Sequence, residues 1–134
     1  MDYTEVIDKL KKEHGFKQIS EYRSGNFGDF IIALENSDML LRILRDRDFL
    51  SLEIATKNYK RWYDLAFIEP LFNPREDLIN NVVLFEDSFH LFENNYDKLK
   101  SMFSDEFFLD TDDRMQNLMQ RRKEQLMESW RKKD

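Results

Sequence analysis

The sequence MLLRILRDRDFLSLEIAT, residues 39–56, decides the fold because it contains two strands joined by a short charged turn. Apolar residues at positions 50, 52 and 54 alternate with smaller or polar ones, which is the two-residue period of a strand with one covered face. The turn is too short for the crossover helix that parallel pairing requires. We therefore predict an antiparallel hairpin with strands at 39–46 and 49–56.

A similar sequence pattern extends back to Phe16: short runs rich in Ile, Leu and Phe are separated by turn residues. Gly25-Asn26-Phe27-Gly28 predicts a hairpin turn, and Asn36-Ser37-Asp38 predicts a second one. A short loop with two glycines also occurs in one RNA-binding fold, but a hairpin explains it better. The prediction is a four-stranded antiparallel meander with strands at 17–24, 29–36, 39–46 and 49–56.

Helical spacing marks the first segment and much of the chain after the sheet. Asp2 as N-cap and Gly15 after the last turn predict a helix at 3–13. A short helix is predicted from Trp62 to Glu69, with Pro70 ending it. Asn73 as N-cap followed by a proline predicts another helix, which carries the apolar stripe of Leu78, Ile79, Val82 and Val83.

Beyond this stripe the periodicity falters at 84–88 and then resumes through Phe89 to Phe103, so we predict that the helix after Pro74 and a second helix are separated by a break at 84–88. A final amphipathic helix of about five turns is predicted with Asp110 as its N-cap. The fold class is α+β: an N-terminal helix, the meander sheet, and three to four helices packed on one face. We expect one domain over 1–134, with its sheet region at about 16–56 and its helical region at about 62–132.

The residue types that catalysis and metal binding need are sparse. The chain has no cysteine and only two histidines, His14 and His90, and neither histidine has a second ligand type at metal spacing. A calcium loop begun at Asp110 lacks the glycine and the glutamate that it requires. With no nucleophile elbow and no phosphate-binding glycine loop, we predict a non-enzymatic protein without cofactor or metal.

Charge is distributed unevenly along the chain, whose formal net charge is −6. Residues 69–113 hold twelve Asp or Glu and only three Lys or Arg, whereas the segment from 114 to the end is basic. Twelve of the 19 aromatic residues lie between Tyr59 and Phe108. Exposed aromatics rimmed by acidic groups are typical of an interface with a basic protein. The alternative is a solvated helical face, partly neutralised by the basic final helix.

Other partners are less favoured by the composition. An acidic chain with a pI of about 5.0 does not favour direct binding to nucleic acid. No apolar run reaches the length of a membrane helix, and the first residues lack the pattern of an export signal, so we expect no membrane contact and a cytoplasmic location. A homo-oligomer remains open, because the Met- and Leu-lined final helix also suits a homodimerising or scaffold domain.

The order of these segments resembles a known class of proteins. The resemblance rests on the leading helix, on the acidic helices and on five segments between them: Gly28 to Asn36, Leu41-Arg42-Ile43, Arg45-Asp46-Arg47, Leu50 to Ile54 and Trp62-Tyr63-Asp64-Leu65. This layout is similar to small bacterial immunity-type proteins, which neutralise a toxin made by the same cell or its kin. The resemblance implies a cytoplasmic α+β protein that binds one toxin domain and blocks its active site without chemistry of its own.

An acidic blocker suits a nuclease toxin, because a surface that binds phosphate backbones tends to be basic. On this hypothesis acidic residues meet the partner and three phenylalanines anchor it. The predicted partner-binding residues are Glu86, Asp87, Phe89, Glu93, Asp97, Asp105, Glu106, Phe107, Phe108, Asp110, Asp112 and Asp113.

Overall fold

The structure is a computed structural model, and it describes residues 1–25 and 28–132. Helix α1 (Tyr3–Glu13) comes first and is followed by the strands β1 (Lys17–Arg23), β2 (Phe30–Glu35), β3 (Leu40–Asp46), β4 (Phe49–Ala55) and β5 (Tyr63–Asp64). The remaining helices are α2 (Leu65–Phe72), α3 (Phe85–Asn94), α4 (Tyr96–Met102) and α5 (Phe108–Arg131). The predicted α+β class is confirmed.

The sheet has the strand order β1-β2-β3-β4-β5 with antiparallel pairing throughout. The four predicted strands are confirmed to within about one residue at each end, and β5 adds a fifth strand that the sequence did not reveal. Part of the predicted first turn, Asn26 and Phe27, lies outside the described residues. The second turn is capped by Asn36, whose Oδ1 accepts hydrogen bonds from the backbone N–H groups of Asp38 and Met39.

One face of the sheet supplies the core. Ile32, Ile43 and Leu52 lie opposite one another on neighbouring strands and are almost fully buried. Their side chains join buried residues of α1 through α5 in a single apolar cluster that runs from Val6 to Leu118. The opposite face is polar at its centre, where Arg42 and Glu53 form an ion pair of 2.5 Å. Successive side chains of a strand point to opposite faces, so residues 32, 43 and 52 lie on the covered face and Arg42 and Glu53 on the other.

Helix α1 has the predicted bounds and the predicted cap. The Asp2 carboxylate accepts hydrogen bonds from the Thr4 hydroxyl and from the backbone N–H groups of Thr4 and Glu5, and these bonds, the hydroxyl's first among them, hold the pKa of Asp2 below its ordinary value. Gly15 follows the helix with a φ of 68°, a left-handed conformation that costs glycine little. Val6 and Leu10 are buried one turn apart, which fixes the face of α1 that meets the sheet.

The predicted helix at 62–69 is partly wrong. Trp62 precedes the short strand β5, and α2 starts at Leu65 because the Asp64 side chain caps the N–H of Ala66 at 2.9 Å. Pro70 lies inside α2, although proline removes a donor and disfavours a helix interior. One more turn still closes, since the N–H of Asn73 bonds to the carbonyl of Glu69 at 3.0 Å.

The helix predicted after Pro74 is wrong, because residues 73–84 form an irregular connection. The Asp77 side chain accepts hydrogen bonds from the N–H groups of Ile79 and Asn80, a local turn that competes with helical bonding. The Gln125 side chain of α5 accepts a hydrogen bond from the N–H of Leu78 at 2.8 Å and donates one to the carbonyl of Glu76 at 2.5 Å. Side chains therefore satisfy the backbone groups that a helix would have paired.

The helix predicted over Phe89 to Phe103 is present as two shorter helices, α3 and α4, divided at Asn95, and the predicted break at 84–88 is wrong because α3 already begins at Phe85. The last helix starts earlier than predicted, with Phe107 rather than Asp110 at its N-cap position. The reason is packing. Phe108 is buried in the core, so the chain must already be helical at this residue for the buried positions of α5 to share one face.

Candidate functional site

The turn from α4 into α5 positions the most densely acidic segment of the chain. Phe108 stacks on Tyr59 at a centroid distance of 5.0 Å and lies 6.0 Å from the ring of Phe103. The Thr111 hydroxyl donates to the carbonyl of Met102 at 2.6 Å, which ties the first turn of α5 to the end of α4. The contacts of Phe108 and Thr111 fix the buried side of this turn. The residues next to them in the sequence lie on the surface.

The surface side of this turn carries five residues that we call the acidic corner: Glu106, Phe107, Leu109, Asp110 and Asp113. Phe107 is 48% exposed and Leu109 is 68% exposed. Asp110 and Asp113 are three residues apart on the helix and therefore project as neighbours. Within the described residues, the three carboxylates have no hydrogen-bond or ion-pair partner for their side chains. The corner combines free negative charge with exposed apolar surface.

Two other predicted carboxylates of this region are engaged inside the chain. Asp112 accepts a hydrogen bond from the Tyr63 hydroxyl and forms an ion pair of 2.8 Å with Arg61. Burial, together with the bond to Asp112, raises the pKa of Tyr63 above its ordinary value. The amide of Asn58 donates to Asp105. These two carboxylates fasten α5 and the turn before it to the segment around β5.

The predicted carboxylates of α3 and α4 lie in a different neighbourhood, and those of α3 have partners of their own. Glu86 lies 3.6 Å from the N-terminal amino group, and Glu93 lies 3.3 Å from His14 Nε2. Asp87 accepts a hydrogen bond from the backbone N–H of Leu84, which caps α3. Asp97 is exposed in the first turn of α4. The structure therefore does not gather the twelve predicted residues into one patch.

Two of the three predicted anchors are in the core. Phe89 is 0% exposed and Phe108 is 2% exposed, so neither phenylalanine can contact a partner. The prediction was wrong at Phe108 because it placed the adjacent Phe107 and Phe108 on the surface together. On a helix successive residues point about 100° apart, so burial of Phe108 forces Phe107 and Leu109 outward.

Leu109 is the residue of this site that the sequence analysis missed. The signal was present in the spacing of Phe108, Thr111, Met115 and Leu118, which are all buried on one stripe of α5. Extending the helix one turn towards the N-terminus identifies this stripe and leaves Leu109 off it. The exposed apolar pair of the corner is therefore Phe107 and Leu109.

One cluster has the residue types of a cation site. Ligand atoms of Glu13, His14 and Glu93 lie within 4.8 Å of one another. His14 is already paired with Glu93, and its ring stacks on Tyr96 at a centroid distance of 5.3 Å. The Asn36 amide donates to the His14 carbonyl at 2.9 Å, so this residue also links α1 to the sheet. We interpret the cluster as a polar contact that joins the end of α1 to α3.

Comparisons of the chain with protein-family models, with curated proteins and with solved structures found no match. Among the described residues, no helix has both the length and the apolar character needed to cross a bilayer. A fold by itself does not define a function, so the functional proposal rests on the residues and geometry of the site.

Proposed function

We propose that the protein is a non-enzymatic binding protein whose acidic corner docks on a basic surface of a partner protein. The observation that carries this proposal is the composition of the corner. Glu106, Asp110 and Asp113 have no partner within the described chain, and they surround two exposed apolar side chains. Elsewhere in the acidic region, most carboxylates named above are engaged by groups of the same chain.

The physical roles of the two residue types differ. Carboxylates at the rim of an interface attract a basic partner over several ångströms and raise the association rate, an effect that salt screens. Buried apolar anchors slow dissociation once they are shielded from water. Phe107 and Leu109 flank the buried Phe108, so a rigid core holds both anchors in place.

We further propose that the partner is a toxin domain and that the protein is of the immunity type, acting in the cytoplasm. A nuclease toxin fits this site because its phosphate-binding surface is basic, and the three corner carboxylates would occupy that surface in place of nucleic acid.

The test is a capture experiment with matched variants. The tagged protein is incubated at low salt with an extract of its source cells, and bound proteins are eluted with a salt gradient and identified by mass spectrometry. The double variant Glu106→Gln, Asp113→Asn removes two corner charges. The control, Asp46→Asn with Asp48→Asn, removes two exposed charges at the turn between β3 and β4.

The proposal expects one basic protein that the natural protein and the control retain and the corner variant releases at lower salt. Equal retention by all three proteins, or recovery of the bait alone, would contradict it. Both outcomes are interpretable once circular dichroism shows that the variants are folded.

A second candidate function, self-association, is favoured by the far end of α5. Met127 is 42% exposed and Trp130 is 64% exposed, and the two residues are neighbours, three positions apart on the same helix end. Two copies could bury these residues against each other in a two-fold dimer. Sedimentation velocity over a range of concentrations decides this point: a monomer at every concentration removes the candidate.

A further inference from the structure

A second concave site lies away from the acidic corner. Helix α2, the irregular connection at 73–84 and the C-terminal half of α5 enclose a groove of about 250 Å³, which we call the α2–α5 groove. Its apolar lining includes Phe67, Leu78, Leu118 and Leu126. An apolar cavity of about 150 Å³ accepts benzene, so this groove can hold an aromatic ring with a substituent or a medium-length alkyl chain.

The charge of the groove is opposite to that of the chain. Arg75, Arg122 and Lys123 line it, and no carboxylate does so among the described residues. The chain as a whole has 27 acidic residues against 21 Lys and Arg, so a lining with three cations and no acid runs against the composition. Apolar walls with a few convergent charged groups are typical of small-molecule sites.

The three cations are not equally available. Arg75 forms an ion pair of 2.5 Å with Glu69, which neutralises much of its charge. The Arg122 guanidinium lies over the ring of Phe67, 4.5 Å from its centroid, and within the described residues its N–H donors have no carboxylate partner. Burial raises the pKa of Asp64, and the positive charge of Arg122 partly opposes this shift.

Lys123 is exposed at the mouth of the groove, and within the described residues its ammonium has no ion pair. Arg122 and Lys123 are consecutive on α5, and both contribute to the same lining. An anionic group at this lining would meet positive charge from both side chains. Charge-assisted hydrogen bonds of this kind are stronger than neutral ones.

We propose that the α2–α5 groove binds a small amphiphilic anion. Its apolar body lies on Phe67, Leu78 and Leu126, and its carboxylate, sulfonate or phosphate is held by Arg122 and Lys123. The complementarity of charge decides the class of ligand. An uncharged apolar molecule would leave both cations unused, and a cationic one would be repelled by them.

The first experiment is isothermal titration calorimetry of the full chain with four probes. Octanoate, octanol and octylammonium share an alkyl chain and differ in head group, whereas inorganic phosphate supplies an anion without a chain. The proposal expects saturable one-to-one binding of octanoate, with affinity reduced about tenfold or more for octanol and further for the amine. Phosphate should bind more weakly than octanoate.

Several results would overturn the proposal. Equal affinity for octanoate and octylammonium would show that the cations do not contribute to binding. Phosphate binding as tightly as octanoate would show that the apolar lining does not contribute. Absence of saturable octanoate binding would show that the groove does not take this class of ligand. If octanoate binding instead tracked dimer formation in sedimentation, the occupant would be a second copy of the chain.

Variants place the binding in the groove. Arg122→Gln with Lys123→Gln should lower octanoate affinity about tenfold or more, whereas Arg121→Gln, an exposed neighbour on α5 outside the lining, should leave it unchanged. Leu126→Glu puts a carboxylate into the groove and should reverse the preference from octanoate to octylammonium. Circular dichroism confirms folding, and the reversal distinguishes a changed site from a damaged protein.

Discussion

The two halves of α5 differ in almost every physical respect. The N-terminal half is acidic and anchored, because Phe108, Thr111, Met115 and Leu118 are buried on one stripe. The C-terminal half is basic and leaves large apolar residues such as Trp130 on the surface. One continuous helix thus runs from the core of the protein to a loosely covered end.

This difference shows how one helix can present two kinds of surface. The anchored half fixes the backbone, so the carboxylates of the acidic corner project from a rigid base. The other half contacts the chain mainly through Arg122 on Phe67 and through Gln125 on the 76–78 segment, and these contacts leave a groove between them. Anchoring favours a preformed protein interface, and looser covering favours a pocket.

The largest expected effect is a core truncation in the anchored half. Met115→Ala removes a side chain that is 0% exposed and should lower the free energy of unfolding by about 2–5 kcal/mol. The matched change in the other half, Met127→Ala, should stay within about 0.5 kcal/mol. Urea denaturation measures both. Similar losses for the two variants would mean that the halves are equally anchored.

The next effect concerns the contact that holds the irregular connection. Gln125→Ala removes both bonds to the 76–78 backbone and should cost about 1–3 kcal/mol, because it leaves those groups less well satisfied. Amide hydrogen exchange at Leu78 should accelerate more than exchange in α1. As a control, Gln120→Ala removes only a surface bond to Glu124 and should change neither property. Unchanged exchange at Leu78 would contradict this role of Gln125.

The sequence correctly predicted those helices and strands whose formation depends on local patterns. Strands β1 to β4 were predicted to within about one residue, because alternation and turn residues act over a few positions. Helix α1 followed from its cap at Asp2 and from Gly15. These features need no knowledge of distant contacts.

The failures lie where distant residues decide. Residues 74–83 have a helical pattern, yet Gln125 and the Asp77 turn bind their backbone instead. For the candidate site, the sequence identified Glu106, Phe107, Asp110 and Asp113, but it could not separate them from the carboxylates that pair inside the chain. That separation depends on the positions of Arg61, Tyr63, His14 and Asn58, which only the fold supplies.

The smallest predicted effect is a pH dependence of the anchored half. Because the folded state raises the pKa of Tyr63, the folded protein holds this proton more tightly than the unfolded chain. Stability contributed by the protonated hydroxyl is fully present below about pH 10 and is lost as the pH rises through the folded pKa. Tyr63→Phe should therefore flatten the alkaline decline in the free energy of unfolding.

Tyr96 provides the internal control for this measurement. Burial and a hydrogen bond to Asp38 also raise its pKa, so part of the alkaline decline should persist in the Tyr63→Phe variant. The double variant with Tyr96→Phe should flatten the curve further. If Tyr63→Phe declines as steeply as the natural protein, the Tyr63 hydroxyl does not contribute in this way.

The measurement that tests the central claim most directly is the association rate of the captured partner with the natural protein, the Glu106→Gln, Asp113→Asn variant and the Asp46→Asn, Asp48→Asn control. Stopped-flow mixing at several ionic strengths gives each rate. We predict that the corner variant associates more slowly, by about tenfold at low salt, that the control does not, and that the gap closes as salt is added. Equal rates for the three proteins at low salt would contradict the claim that the acidic corner is the binding surface.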